Sequence, residues 1–242
     1  MGGLGGGGRG GHDGGLLLGA GADAAEDRHG PPGREADVFN RRKRTSDRDV
    51  PHEDQGIIPP YEGTPPAMDL TADQRSQLDR GKAVMVQIQD SRGGGRGMSI
   101  QDVAAPPDTV WSRITSYSDY PRWVGPVSEC ANYEVEGDHI KTRFLLKGLG
   151  FRIEYFIDHV YRPDEGFMTW TLDYTRRSDL DDSVGYWFVA AHPTRDGWTR
   201  LYYSVDVRMK GRVPKIVQDI VTRQGLKEAT GWVKRESEAV AR

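Results

Sequence analysis

From Val127 to Met209 the chain alternates apolar and polar residues with a period of two, and turn chemistry interrupts the alternation at regular intervals. The interruptions are Glu136-Gly137-Asp138, Gly148-Leu149-Gly150, Pro163-Asp164-Glu165-Gly166, Ser178 to Asp182 and Pro193 to Gly197. A period of two is the side-chain period of a strand, and clusters of Gly, Pro and Asp are what turns demand. Five breaks predict six strands joined as hairpins. In segment 151–161, Phe151, Ile153, Tyr155, Ile157, His159 and Tyr161 share one face, while Arg152, Glu154, Phe156, Asp158 and Val160 share the other. The same reading groups Met168, Trp170, Leu172 and Tyr174, then Val184, Tyr186, Phe188 and Ala190, then Leu201, Tyr203, Val205, Val207 and Met209. One face of the predicted sheet is apolar and mostly aromatic. The other is expected to be wet, with Arg152, Glu154, Arg200 and Arg208 on it.

The flanks complete an α+β pattern. Residues 83–90 read as a strand, and Gly93-Gly94-Gly95 turns into a second from Met98 to Val103. Pro106-Pro107 suits a first helical turn, and Val110, Ile114 and Tyr117 follow at i, i+4 and i+7. Pro121 ends that pattern, and Arg122-Trp123-Val124 begins a short second turn. Upstream, Thr71-Ala72-Asp73-Gln74 has the form of a capping box, with the helix expected to run to Arg80 and stop at Gly81. Downstream, Val213-Pro214 opens a helix of about 25 residues with Val213, Val217, Val221, Gly225, Ala229 and Trp232 on one stripe. Gly225 weakens a helix by about 1 kcal/mol relative to Ala. Either it permits close packing of helix on sheet, or the small pair Gly225 and Ala229 leaves room for a ligand.

Of the 22 aromatic residues, 20 lie after residue 80, whereas 16 of the 31 glycines lie in residues 1–80. A segment so poor in aromatics buries too little apolar surface to offset chain entropy. Residues 1–67 therefore read as disordered, with Pro59-Pro60 and Pro65-Pro66 as a stiff linker, and residues 68–242 as one domain. Gly6 stands where a myristoylation signal needs Ser or Thr. Early acids and the absence of serine before Ser46 do not support an organelle signal. Arg41-Arg42-Lys43-Arg44 reads as a nuclear import patch or as a basic run in a tail. The compartment stays open. A net charge of −3 argues against a nucleic-acid partner. No apolar run approaches the length of a membrane span, though transient membrane contact remains compatible with the sequence. The single cysteine, Cys130, excludes an internal disulfide and reads as a small strand residue.

Candidate chemistry is sparse. The six histidines, at 12, 29, 52, 139, 159 and 192, show no metal-ligand spacing. Asp158 precedes His159, but strand neighbours point to opposite faces, so Asp158 is not placed to orient that imidazole. His159 is a candidate polar group of a cavity or a strand-end histidine at its mouth. Asp179, Asp181 and Asp182 lack the calcium-loop pattern and read as a solvated hairpin tip. Gly93 to Gly97 precedes a strand and not a helix, so it makes no phosphate site. No nucleophile, metal or cofactor is indicated.

Ala105-Pro106-Pro107-Asp108-Thr109-Val110-Trp111, followed by Ile114 to Val124, resembles the signature of the coenzyme Q-binding and polyketide cyclase-like branch of the START-like superfamily. Cys130 and Trp170-Thr171-Leu172 fit the same resemblance, which covers about residues 82–239. It implies a helix-grip fold, in which a curved antiparallel sheet wraps a long C-terminal helix around a deep cavity. The cavity residues it points to are Phe144, Tyr155, Ile157, Trp170, Tyr186, Phe188 and Tyr203 on the sheet, and Val217, Val221, Gly225 and Ala229 on the helix. Three functions follow: binding or carrying a lipid, isoprenoid quinone or polyketide-like molecule; ring closure of a polyketide by an aromatase/cyclase-like enzyme; or an interaction module with a filled core.

Overall fold

The computed structural model describes residues 48–65, 68–89, 95–148, 151–209 and 223–241. The Arg41–Arg44 run, the turn glycines Gly93 and Gly94, and the N-terminal part of the long helix, with the candidate cavity residues Val217 and Val221, lie outside the described residues.

The elements run α1 (Ala72–Asp79), β1 (Val84–Gln89), β2 (Gly95–Val103), α2 (Pro107–Ile114), a 3-10 turn (Tyr117–Asp119) and α3 (Tyr120–Trp123). Then come β3 (Val127–Glu136), β4 (His139–Gly148), β5 (Phe151–Arg162), β6 (Phe167–Leu172), β7 (Asp182–Ala191), β8 (Thr199–Arg208) and α4 (Arg223–Val240). The predicted six-strand meander is present, and all eight strands form one antiparallel sheet in the order β1-β2-β8-β7-β6-β5-β4-β3. The chain leaves β2 at one end of the sheet, crosses through α2 and α3 to the opposite edge, and returns strand by strand to pair β8 with β2. With its C-terminal helix, this is the START-like helix-grip architecture.

Local chemistry sets the crossing. Pro107 opens α2, Asp108 and Arg113 sit at the ends that suit their charges, and Val110, Trp111 and Ile114 are buried. The helix does not run on to Tyr117 as the i, i+7 spacing suggested. Thr115 and Ser116 return their hydroxyls to the Trp111 and Ser112 carbonyls, and the backbone tightens into the 3-10 turn that buries Tyr117. The Tyr120 hydroxyl donates to the Ile114 carbonyl at 2.6 Å and fixes the turn against α2. At α1 the expected capping box is formed in both directions by Thr71 and Gln74, and Gly81 takes φ +72°.

α4 lies on β2. A side chain at Gly97 would reach within 2.5 Å of Leu226, so the small residue that admits the helix here stands on the strand. Ser99 and Thr230 share a buried hydrogen bond of 2.9 Å, and Lys234 donates to the Asp102 carbonyl.

The outer face of the sheet is drier than expected. Leu78, Val84, Ile100, Tyr186 and Tyr202 form a second apolar cluster there. Asp102 is 1% exposed and takes two bonds from Arg200 and one from His192. Burial works against its ionisation, but these donors hold its pKa below the usual carboxylate range. Residues 48–65, placed by sequence in a disordered segment, instead form a strap over this face. The His52 amide donates to the Tyr174 carbonyl, the Ile58 amide to Asp182 Oδ2 at 2.7 Å, and Arg48 pairs with Asp179. Ile58 is 3% exposed, and Tyr61 meets Tyr186 edge-on at 4.8 Å. Aromatic content misjudged this segment because hydrogen bonds and two apolar anchors hold it.

β3 forms one rim of the sheet. Its register with β4 shifts between Val127 and Glu129 and again between Asn132 and Glu134. Glu129, Glu134 and Glu136 are exposed along it.

Candidate functional site

Between the sheet's inner face and α4 lies a cavity of about 600 Å³. Its floor is laid by alternate residues of successive strands: Phe144 and Leu146 of β4, then Tyr155, Ile157 and His159 of β5, and Trp170 of β6. Ser183 and Trp187 of β7 and Tyr203, Val205 and Val207 of β8 continue it. Gly225, Ala229 and Trp232 of α4 form the roof, and Tyr117, Tyr120 and Trp123 form an end wall. Strand pleating alone presents these residues together, since every second side chain of each strand faces inward.

The wall is built of rings in contact. Phe144 stacks on Tyr155 at 5.1 Å between centroids, and Trp170 on Tyr203 at 5.8 Å. Trp187 lies 4.4 Å from Tyr203, and Trp123 stacks on Trp232 at 5.7 Å. Trp170 pairs in register with Gly185. A methyl at Gly185 would overlap the Trp170 ring and the Ser204 carbonyl oxygen, so the indole lies over bare backbone.

The structure brings together Phe144, Tyr155, Ile157, Trp170, Tyr203, Gly225, Ala229 and the candidate polar group His159. It does not bring in Tyr186 or Phe188, which belong to the outer cluster with Tyr202. β7 is apolar on both faces, so its alternation does not say which face is inner; the register of Gly185 opposite Trp170 decides it. Trp187 and Ser183 take the inner positions instead. Sequence reasoning missed Trp187, Tyr117, Tyr120, Trp123 and Trp232 as cavity residues. Gly185 was the available signal for Trp187, because a glycine inside a strand marks a close approach.

Polar groups in the cavity are few. His159 is 5% exposed, and its Nδ1 lies 2.9 Å from the Ile140 carbonyl oxygen. A carbonyl only accepts, so Nδ1 carries the proton and Nε2 is the acceptor. Burial lowers the imidazole pKa to about 4, and the ring is neutral at physiological pH. Asp158 points the other way, as strand geometry required, and bonds His139 at 2.9 Å. Burial pushes the Tyr155 and Tyr203 hydroxyls and the Cys130 thiol far above their ordinary pKa values. Arg152, Glu154, Arg200 and Arg208 are absent from the cavity wall, and Glu228, exposed on α4, is the one carboxylate among the described lining residues. Among the described residues no group of His, Cys, Asp and Glu is arranged to hold a metal ion, and no helix is long and apolar enough to cross a membrane. The acidic tract of the β6–β7 connection is engaged in structure: Asp179 takes Arg48 and the Glu154 amide, and Asp182 takes Ile58, Tyr174 and the Ser183 amide.

Known structures share this arrangement. The Zhui aromatase/cyclase of a Streptomyces species is 15% identical, with a TM-score of 0.52 over 62% of this chain and 96% of that one. A protein of Thermus thermophilus is 14% identical, with a TM-score of 0.51 over 61% and 99%. A START superfamily protein of Mycobacterium smegmatis is 18% identical, with a TM-score of 0.49 over 60% and 98%. At these identities the likeness to the first two is one of fold alone. No curated protein matches the sequence. Residues 97–242, from β2 to the C-terminus, match the family described as polyketide cyclase/dehydrase and lipid transport, and the chain belongs to that family.

Proposed function

We propose that the protein binds or carries an apolar small molecule, a lipid, isoprenoid quinone or polyketide-like compound, in the cavity between sheet and α4. The observation that carries this reading is the cavity itself, about 600 Å³ of ring-lined space. Small-molecule sites typically span about 300–1,000 Å³, with apolar walls and a few polar groups for orientation. A filled-core interaction module would not leave that volume. The family's description covers both lipid transport and polyketide cyclisation. An acid–base catalyst of ring closure needs groups that exchange protons near neutrality, and the buried imidazole of His159 and the buried tyrosines are tuned away from it. Carriage is therefore favoured over cyclisation, and no cofactor is invoked.

The test is uptake of a neutral fluorescent probe, phenyl-naphthylamine, by the full chain and by Gly225→Leu and Ala229→Leu. Both positions line the roof, so a leucine projects into the space a ligand would use. Leucine at 225 also gains about 0.8 kcal/mol of helix propensity. The expected outcome is uptake by the parent, at least tenfold weaker uptake by the variants, and an unfolding midpoint that holds or rises. A parent that takes up no probe and carries no extractable small molecule by native mass spectrometry would overturn the reading.

A further inference from the structure

Resting on that reading, we infer that the cavity selects a neutral, flat, ring-bearing ligand that carries a hydroxyl group, with His159 Nε2 accepting the hydroxyl proton. His159, Tyr155 and Tyr203 each line the cavity, and no hydrogen bond engages His159 Nε2 or either tyrosine hydroxyl among the described residues. Of the other tyrosines in the wall, Tyr120 donates to the Ile114 carbonyl and Tyr117 meets Met168 Sδ at 3.6 Å, and Ser183 and Glu228 add further oxygens to the lining. These three groups, His159, Tyr155 and Tyr203, face the cavity space with no protein partner among the described residues, so what enters it must supply their hydrogen bonds or leave them unmade, and an unmade bond in an apolar pocket is costly.

The three groups are close through shared rings. His159 and Tyr155 both contact Phe144, with centroids 6.4 and 5.1 Å away, and His159 and Tyr203 both contact Trp170, at 6.3 and 5.8 Å. Because Nδ1 is committed to the strand backbone, Nε2 is an acceptor only, and it requires a donor from the ligand. The tyrosine hydroxyls give or take, and they suit a second ligand oxygen. The ring faces of Phe144, Trp170 and Tyr203 suit flat aromatic surface. Charge completes the description. Among the described residues no lysine or arginine lines the cavity and the charged lining residue is Glu228, so a carboxylate or phosphate ligand would meet no counter-charge from them.

The inference is tested with four probes of one skeleton at pH 7: pyrene, hydroxypyrene, methoxypyrene and pyrenecarboxylate, titrated fluorometrically into the full chain. Leaving the buried acceptor unpaired is worth about tenfold or more in affinity. Hydroxypyrene should therefore bind at least tenfold more tightly than methoxypyrene, whose oxygen has no proton to give. Pyrenecarboxylate should bind at least tenfold more weakly than pyrene. His159→Phe should erase the gap between hydroxypyrene and methoxypyrene and leave pyrene within about twofold. The ranking on the unaltered protein stands without the variant. Equal affinity for the hydroxyl and methoxy probes, or tightest binding of the carboxylate, would overturn the selection while leaving the cavity reading intact. Failure of all four, pyrene included, would overturn the cavity reading and this inference with it.

Discussion

Gly185 shapes the cavity by having no side chain. The Trp170 indole lies across it, and the Ser204 carbonyl stands behind it. Gly185→Ala must push the indole inward or open the β7–β8 pairing, and overpacking of this kind costs about 1–3 kcal/mol. Urea unfolding should show that loss, together with a shift in tryptophan emission. His159 acts at the same scale through protons. Its pKa falls from 6.5 in the unfolded chain to about 4 in the fold, because burial disfavours the imidazolium more than the Ile140 carbonyl helps it. Above pH 6.5 both states are neutral and the group contributes nothing to pH dependence. Between 6.5 and 4 the unfolded state takes a proton that the fold refuses, so stability falls with pH by up to about 3 kcal/mol, and the loss saturates below 4. His139 titrates in the opposite sense, since the Asp158 hydrogen bond raises its pKa, but it is about half exposed and its effect is small. The expected outcome is that His159→Phe flattens the difference in urea midpoint between pH 7.5 and 4.5. An unchanged difference would show that the imidazole titrates normally and is not buried as described.

The strap and the β6–β7 connection form a pair of elements. The His52 ring meets the Asp181 carbonyl at 3.1 Å and accepts from the Ser178 amide, while the Arg177 amide donates back to the Arg48 carbonyl. On the other side of the same connection Leu180 lines the cavity. Cutting the chain before Arg48 should leave the thermal midpoint unchanged. Cutting before Met68 removes Ile58 and its neighbours and should cost about 2 kcal/mol, on the scale of one buried aliphatic side chain. Equal midpoints for the two truncations would show that the strap adds nothing to stability. The elements differed in how far the sequence announced them. α1 was legible from its capping residues, and the meander from turn chemistry and a period of two, because both are local signals. The inner face of β7 was not legible, because Val184 to Val189 are apolar on both sides and only pairing with β6 distinguishes them. The strap was illegible for a related reason: its partners stand some 124–131 positions away, and polar residues that bond at such range resemble those of a solvated tail.

At the scale of the whole molecule the cavity is packing that has been left out. Interiors are ordinarily filled to crystal-like density, so a space of about 600 Å³ forgoes contacts that a bound molecule would restore. Any ligand that enters the folded state alone raises its stability, by about 2.7 kcal/mol at a concentration of 100 times its Kd. Hydroxypyrene should accordingly raise the thermal midpoint in a concentration-dependent way, and Gly225→Leu should lose that response. The sheet that wraps the cavity is open, with β1 and β3 at its ends. A free strand edge is a template on which a second chain can build, and a curved sheet offers its edges at full length. The two register shifts in β3 break the even ladder that an incoming strand would need. Glu129, Glu134 and Glu136 place carboxylates along the same rim, the first held to Arg143 and Lys147 and the second to Lys141 of this chain. A copy of the protein approaching edge to edge would meet an uneven ladder and a row of charged side chains that it would have to desolvate, so this end of the sheet is a poor seed for polymerisation.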